Sequence, residues 1–531
     1  MNLVFDILRK NKVKILIVGL LSTIISIISL LIPLFSKQIF NQSLINKNIK
    51  MVVVTAVGLI ILNVIYYLLE YINQKTLVKI EKNATVYVRK RVIDNIISKP
   101  LKFFEKYDTE YLVTRINESA GIGNIISGDF FKFILSLFTM IVALIYLFYK
   151  TPFFGWISIG ISIIYVFVML LPLMKIFKIS NKTMDENAEY NKKLYSAVQG
   201  ISELKQYNQV ETFSSNILSS VEKIAILDAE QSNKINFNFN FLQASNSIIS
   251  ITVSVLIAIS IVKGELTVGD YFLITQYVSL VNAPVLMFQS FLIMCLLPFL
   301  AGIRVERLMK EEEKEKISGY PITDINKILL ENISFSYSDK EVLKHISFEI
   351  NKNDVVQIIG KNGSGKSTLL KIIMGLYNPQ NGNILINGLS LNEYNLSEYR
   401  NLVGVIPQKV FLFDSTIKEN IRIGNTALSD EKFENYLKEF EKRGFLKNLD
   451  INKIVIDNGK NLSGGQIKMI ALCRVLLRNP KLLILDEATA GMDKELSENF
   501  LSIINNLSDI AIIYISHIKE DKIKTTKELY L

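Results

Sequence analysis

The sequence predicts a multidomain membrane protein with two unlike halves: an all-α half of six membrane-spanning helices, then an α/β half built around a phosphate-binding loop. Three observations predict it. The chain has 531 residues, too many for one ordinary domain of about 100–200. Half of its residues are hydrophobic, the mean hydropathy is +0.30, and six long uncharged stretches all fall before residue 304. The third is the run Gly360-Lys361-Asn362-Gly363-Ser364-Gly365-Lys366-Ser367-Thr368, which fits G-x-x-x-x-G-K-[ST].

The uncharged stretches cover 15–36, 51–69, 133–149, 151–174, 235–262 and 271–303. Most reach or approach the roughly 20 residues a helix needs to cross the hydrocarbon core, which predicts spans near 15–36, 51–73, 133–149, 152–175, 243–262 and 271–301. The third is short, and the last two exceed one crossing, so they are expected to tilt or run on into water. The first is too long for a cleaved signal peptide and lacks a small-residue cleavage site.

Basic residues orient the bundle. Segments 74–132 and 175–234 carry 11 and 8 Lys/Arg, whereas the opposite connections offer only Lys37, Lys47, Lys50, Lys150 and Lys263. By the positive-inside rule, both long connections and both termini are expected in the cytoplasm, in a multi-pass protein of the plasma or inner membrane. Much of the formal net charge of +10 is thereby topological, and no nucleic-acid partner is expected. The long connections carry helical spacing, as in Leu77–Ile97, and a very short turn is expected at Lys263–Gly269. Lys310–Lys316 reads as a solvated charged linker, which sets the boundaries 1–308, 309–327 (linker) and 328–531. Cys295 and Cys473 read as small buried hydrophobes, and two histidines are too few for a His-rich metal centre.

In the second half, the phosphate loop lies between a strand-like run, Val355–Ile359, and a helix-like one, Leu369–Ile373, the context the motif requires. Its glycines let the backbone approach an anion, and the helix dipole adds to the attraction. Lys366 is expected to neutralise the β- and γ-phosphates of ATP, and Ser367 to give its hydroxyl to Mg²⁺. Gly360, Asn362, Gly363, Ser364, Gly365 and Thr368 complete the cradle. Further on, Leu462-Ser463-Gly464-Gly465-Gln466 precedes the apolar run Lys481–Leu485 and then Asp486-Glu487. That run reads as a buried parallel strand, so the two carboxylates emerge at its C-terminal end, where open α/β sheets bind ligands. An Asp there can hold Mg²⁺, commonly through water, and a Glu beside it can orient or deprotonate the attacking water.

With these residues in hand, the second half resembles the nucleotide-binding domain of ABC transporters, whose own signature is LSGGQ; Tyr337, Gln408, Asp493 and His517 follow in family order. The resemblance implies that Tyr337 stacks on adenine, although a strand-edge core tyrosine is the other reading. It implies that Gln408 touches Mg²⁺ and the attacking water, that Glu487 is the general base and that His517 steadies it beside the γ-phosphate. Asp493 belongs to the same nucleotide-binding set. Ser463, Gly464, Gly465 and Gln466 would act on the ATP held by Lys366 of an opposite subunit. A second half-transporter is therefore implied, with a homodimer expected because base and signature both match consensus.

The six spans followed by this domain resemble the exporter-type half-transporter, as in bacterial multidrug, peptide and lipid ABC exporters. Pro100–Glu105, Arg115–Asn117, Gly264–Asp270 and Pro284 support the resemblance locally. It implies short coupling helices near Tyr107–Asn117 and Tyr207–Asn216. Two departures stand out. Only 14 residues follow His517, so the last β-structure is expected to be reduced. Ile456-Asp457 replaces the family's usual glycine-glutamate pair before the signature, which is expected to alter crosstalk with the partner.

The six stretches hold no charged residue, so a neutral, apolar cavity is expected, with Asn63, Asn246, Gln276, Asn282 and Gln289 as polar contacts. In Asn236–Phe241, Phe237 and Phe241 share one helix face, which reads as packing before cargo contact. Such a cavity suits a hydrophobic or amphiphilic cargo, whether peptide, drug-like molecule or lipid, in contact with membrane lipids. No leader-cleaving cysteine protease domain is expected, since no cysteine precedes Cys295. The function expected is ATP-driven export. A lipid flippase or importer of the same fold, or an ATP-gated channel or sensor subunit, remain as alternatives.

Overall fold

The computed structural model describes residues 9, 11–44, 49–126, 128–311, 315, 318–337, 340–446, 449–517 and 522–531. By its contacts the chain forms two units, one of residues 1–99 and 103–314, the other of residues 100–102 and 315–531.

In the first unit the uncharged stretches are helical, the conformation that satisfies every backbone group without water. The helices are α1 (Lys12–Gln38), α2 (Ile49–Ile97), α3 (Leu101–Lys106), α4 (Thr109–Glu118), α5 (Gly128–Lys150), α6 (Pro152–Leu170), α7 (Leu173–Gln199), α8 (Ile201–Gln206), α9 (Val210–Val262) and α10 (Val268–Lys310). Among the described residues, five segments are long and apolar enough to cross a membrane, and the sixth uncharged stretch lies inside α10. The spans run on into the long connections without a break in α2 and α9, of 49 and 53 residues. The fourth span instead ends at Leu171-Pro172, where the proline ring removes a backbone donor.

Four-residue spacing explains how α2 continues beyond its span. Ile80, Ala84, Val88, Val92 and Ile96 form one fully buried stripe, in a core shared with Val305 and Leu308 of α10. A second core gathers Leu147, Tyr165, Val253 and Tyr277 from α5, α6, α9 and α10. Polar groups inside it are paired across helices. Tyr165 donates to Asn246 Oδ1 (3.1 Å), Ser162 to Asn282 Oδ1 (3.1 Å) and Tyr277 to the Leu30 carbonyl (3.0 Å). Two of the expected cargo amides, Asn246 and Asn282, thus serve helix packing. Asn63 bonds its own helix at the Leu59 carbonyl, Gln276 is half-buried, and the Gln289 side chain lies outside the description.

The expected neutral interior needs one correction. Glu70 on α2 and Lys132 on α5 approach to 3.6 Å, placing an ion pair at the edge of the bundle because both helices extend past their uncharged stretches. The turn at Lys263–Gly269 joins α9 to α10, which begins in a Thr267/Asp270 capping box. Lys37 pairs with Asp270 at 2.6 Å, and Gly269 has no room for a Cβ against Asn41. Phe237 and Phe241 do share a face, their rings 6.2 Å apart.

The two connections turn differently. The first contains α4, which overlaps the window expected for a coupling helix and ends one residue beyond it. In the second, the short helix α8 precedes that window, and the chain turns at Tyr207–Gln209 with Asn208 left-handed (φ 54°) before α9 starts. Asparagine tolerates that conformation, which sets the break there.

The second unit places a four-stranded antiparallel sheet, β2-β1-β4-β5, beside a five-stranded parallel one, β6-β7-β8-β3-β9. Its elements are β1 (Lys327–Tyr337), β2 (Lys340–Asn351), β3 (Val355–Ile359), α11 (Lys366–Ile373), β4 (Asn381–Ile386), β5 (Leu389–Ser390), α12 (Leu396–Leu402), β6 (Val403–Ile406), α13 (Ile417–Arg422), α14 (Asp430–Lys442), α15 (Gly464–Leu476), β7 (Leu482–Asp486), α16 (Lys494–Asn505), β8 (Ala511–Ser516) and β9 (Lys527–Tyr530). Leu482–Leu485 and Ala511–Ile515 are buried on both faces, as continuous apolar strands of a parallel sheet must be. The charged linker is not wholly solvated as expected. Glu315 accepts a two-pronged bond from Arg400 (2.7 and 2.9 Å), a geometry that guanidinium and carboxylate favour.

Candidate active site

Register assembles the site. Ile359 of β3 stands beside Ser516 of β8, Asp486 of β7 beside Ile515, and Ile406 of β6 beside Leu485. The segments that follow these strands therefore emerge together at one sheet edge: the phosphate loop, Glu487, His517 and Gln408.

Gly365 precedes α11 with φ 99°, and a Cβ there would fall 2.6 Å from Leu343, so only glycine lets the loop turn into the helix. Lys366 is buried; its ammonium donates to the carbonyls of Gly360 (2.5 Å) and Lys361 (2.9 Å) and lies 3.5 Å from His517 Nδ1. Ser364 Oγ is buried without a partner in its own chain, and Asn362, Gly363 and Ser367 are exposed. An inward amine, an unpartnered hydroxyl and a helix N-terminus suit a polyphosphate. Thr368 is buried under the loop.

The carboxylates lie opposite. Glu487 takes a left-handed backbone conformation (φ 48°), uncommon for a non-glycine and costing about 1–3 kcal/mol. Three bonds to its main chain hold it there, one of them from Ala490 N to its carbonyl (3.1 Å). Its N–H donates to the Ile515 carbonyl (3.1 Å), and its carbonyl accepts from Lys468 Nζ (2.6 Å). Its side chain is gripped from both sides, Oε2 accepting from Gln408 Nε2 (2.7 Å) and Oε1 lying against His517 Nε2. Residues about 80 and 30 positions away in sequence thus fix the direction of one carboxylate. A carboxylate so held can accept a proton from a water placed between it and the phosphate loop.

Lys468 is a residue of this arrangement that sequence reasoning missed. It is buried on α15, and burial pushes its pKa down against the pull of Glu487 and Asp486. A lysine inside the apolar run Ile467–Val475 was the available signal. Burial pushes the Asp486 carboxyl up and Glu487 pushes it the same way, while Lys366, Lys468 and His517 pull it back.

These residues fit Mg²⁺. Among the described residues no group of three or more His, Cys, Asp or Glu is placed to hold a metal ion by itself. Mg²⁺ commonly takes one or two protein oxygens, the rest of its shell being phosphate and water, and Asp486 with the exposed Ser367 hydroxyl offers such a set. Mg²⁺ would there screen phosphate charge. Asp486→Asn should consequently abolish Mg²⁺-dependent hydrolysis yet raise the melting temperature of the nucleotide-free protein. A raised carboxyl pKa penalises the folded state at pH above it, so this gain should be full at neutral pH and vanish as acid protonates Asp486. Differential scanning fluorimetry across pH checks it; a lower melting temperature at pH 7 argues against the assignment.

The remaining expected residues have local roles. Ser463 starts α15 in a capping box with Gln466, Ser463 Oγ accepting from Gln466 N (3.2 Å) and Gln466 Oε1 from Ser463 N (2.9 Å). The Gln466 side chain is therefore turned toward its own helix. A Cβ on Gly465 would meet Leu496 at 2.2 Å, so the second signature glycine allows α15 to lie against α16. Asp493 caps α16 through Leu496 N (2.8 Å). Tyr337 is 37% exposed, edge-on to Phe335 and Tyr377, with a free flank to stack on and a packed one. In the departing segment, Asp457 and Asn458 are both left-handed and Asn458 Oδ1 accepts from Leu412 N (2.7 Å), while Ile456 is exposed. His345 is left-handed (φ 49°) and its Nδ1 bonds Asn332 Oδ1 (2.8 Å).

The chain matches the ABC transporter transmembrane region model over residues 15–285 and the ABC transporter model over 343–490. It is 28% identical to the alpha-hemolysin translocation ATP-binding protein HlyB of Escherichia coli O157:H7, over 93% of this chain and 71% of that one. It is 25% identical to a putative export ATP-binding/permease protein of Rickettsia conorii, over 94% and 88%. Its fold superposes on the structure of a bacterial Atm1-family ABC exporter with ATP bound, with a TM-score of 0.87 and 19% identity over 96% and 91% of the chains. Two matched regions in one chain, with exporter relatives along nearly its whole length, establish that it belongs to the ABC transporter family, as an exporter-type half-transporter whose ATPase is coupled to transport across a membrane.

Proposed function

We propose that the chain works as a homodimer in the plasma or inner membrane and exports a hydrophobic or amphiphilic molecule, its ATP-binding half in the cytoplasm. The observation that carries the reading is Glu487, held between Gln408 and His517 at the sheet edge that also presents Lys366. Lys366 and the α11 N-terminus hold the β- and γ-phosphates, and Ser367 with Asp486 holds Mg²⁺. Gln408 and His517 orient Glu487, which takes the proton of the attacking water. The capped α15 N-terminus, with Ser463, Gly464 and Gly465 at its tip, supplies dipole and amides to the γ-phosphate of the partner's nucleotide. The basic connections support the cytoplasmic placement.

Cargo uptake into inverted vesicles tests the direction. ATP-dependent accumulation inside supports export; ATP-driven loss from preloaded inverted vesicles points to import, and current without stoichiometric movement points to a channel. A second measurement concerns coupling. Tyr207 and Phe213, at and just after the second turn, are 75% and 44% exposed, so replacing both with Ala leaves the membrane half's core intact. The double variant is expected to lose cargo uptake while retaining basal hydrolysis. Unchanged uptake would place coupling elsewhere.

A further inference from the structure

A cavity of about 180 Å³ lies among α1, α2, α5 and α10, toward the ends of the spans that join the basic connections. Its polar lining is mainly of acceptors, with the Tyr66 hydroxyl, the Gln74 amide and the Lys132 ammonium as donors in the same lining. Ser26, Ser29, Ser136 and Thr139 each donate their hydroxyl hydrogen to a carbonyl of their own helix, at 2.6–3.0 Å, which leaves the oxygens to offer lone pairs. Asn73 is 93% buried by its 7% exposure, and its Nδ2 donates to Ser22 Oγ at 3.0 Å. Its Oδ1 is buried with no partner. Glu70 adds a carboxylate at the rim, where Gln74 donates to it at 3.0 Å and the Lys132 ammonium approaches to 3.6 Å. Ile25, Leu135 and Leu280 supply apolar lining.

A buried acceptor without a donor is unfavourable, so a cluster of acceptor oxygens around one suits a donor that arrives from outside. The Glu70 carboxylate makes a cationic donor the fitting one, and the volume admits a head group but not a whole cargo. We propose that this cavity binds the primary ammonium head of an amphiphilic molecule, with Asn73 Oδ1 and the serine and threonine oxygens accepting its N–H groups. Glu70 is its counter-ion, exchanged from Lys132 as the head enters, and the aliphatic body follows the apolar lining toward the lipid. The inference deepens the export reading, on which it rests, by naming the class of cargo.

The test uses the full chain in lipid nanodiscs without nucleotide, with empty nanodiscs subtracted to remove partitioning. Dodecylamine is expected to bind at least about tenfold more tightly than dodecyltrimethylammonium, which has the charge but no N–H, and than dodecanol. Glu70→Gln and, separately, Asn73→Leu should each weaken dodecylamine by about three- to tenfold and leave dodecanol unchanged. Equal binding of the amine and its trimethyl analogue overturns the proposal, as does binding untouched by Glu70→Gln, a near-isosteric change at a side chain 27% exposed, with the variant's melting temperature as the control for folding. Displacement of the amine by sodium chloride, with a matching gain on choline chloride, would assign the site to an inorganic cation and overturn the amphiphile. Uptake in inverted vesicles separates the two readings. Binding that depends on Glu70 without ATP-driven uptake sinks export and keeps the site. Uptake that ignores Glu70 does the reverse.

Discussion

Glu487→Gln is expected to keep ATP bound and to slow its hydrolysis at least about 10²-fold, the usual scale for a lost general base. The substitution changes one atom of the side chain and removes its ability to take a proton. The phosphate loop, with Lys366 and the α11 N-terminus, is untouched, so nucleotide affinity should stay within a few-fold. The main-chain bonds from Ile515 and Lys468 that hold residue 487 left-handed do not depend on the side chain, so the glutamine should occupy the same place. Radioactive ATP retained by a variant that releases almost no phosphate is the outcome to look for. Near wild-type turnover would move the base elsewhere.

The second large effect is all-or-none. Mixing Lys366→Ala chains with Ser463→Arg chains should restore hydrolysis that neither variant shows alone. If each ATP lies between the phosphate loop of one subunit and the α15 start of the other, the mixed dimer collects both lesions in one site and leaves the second intact. If each chain completed its own site, every site in the mixture would carry a lesion. Arginine at 463 also removes the Ser463–Gln466 capping box, worth about 1 kcal/mol, so the melting temperature of that variant serves as a control for helix loss. Three equally inactive preparations would leave the shared site without support.

What could be read from the sequence was local. Charge-free length marks a helix in lipid whatever its neighbours, and a glycine-rich loop between a strand and a helix declares itself within a dozen or so residues. The hidden features are pairings at long range. Nothing near Glu315 announces Arg400, and nothing near Glu487 announces that Lys468 holds its carbonyl. The amides expected to meet cargo show the same limit, since Asn246 and Asn282 turned out to hold helices together. Period and composition mark a residue as polar within a span without saying which neighbour it faces. The short helix of the second connection came early because one left-handed residue, Asn208, decides where α9 can begin.

The unbroken length of α2 and α9 has a mechanical meaning. At 1.5 Å per residue, α9 is about 80 Å long and α2 about 74 Å, against a hydrocarbon core of about 30 Å. Each is a lever whose longer arm stands in water. A tilt of about 5° about a pivot in the membrane moves a point about 40 Å along the arm by about 3.5 Å, without bending a single hydrogen bond. The break at Leu171-Pro172 gives the neighbouring rod a joint where these two have none. Because the unbroken α9 packs along the jointed α6–α7 pair, a tilt of α9 at the watery end becomes a change of gap at the other.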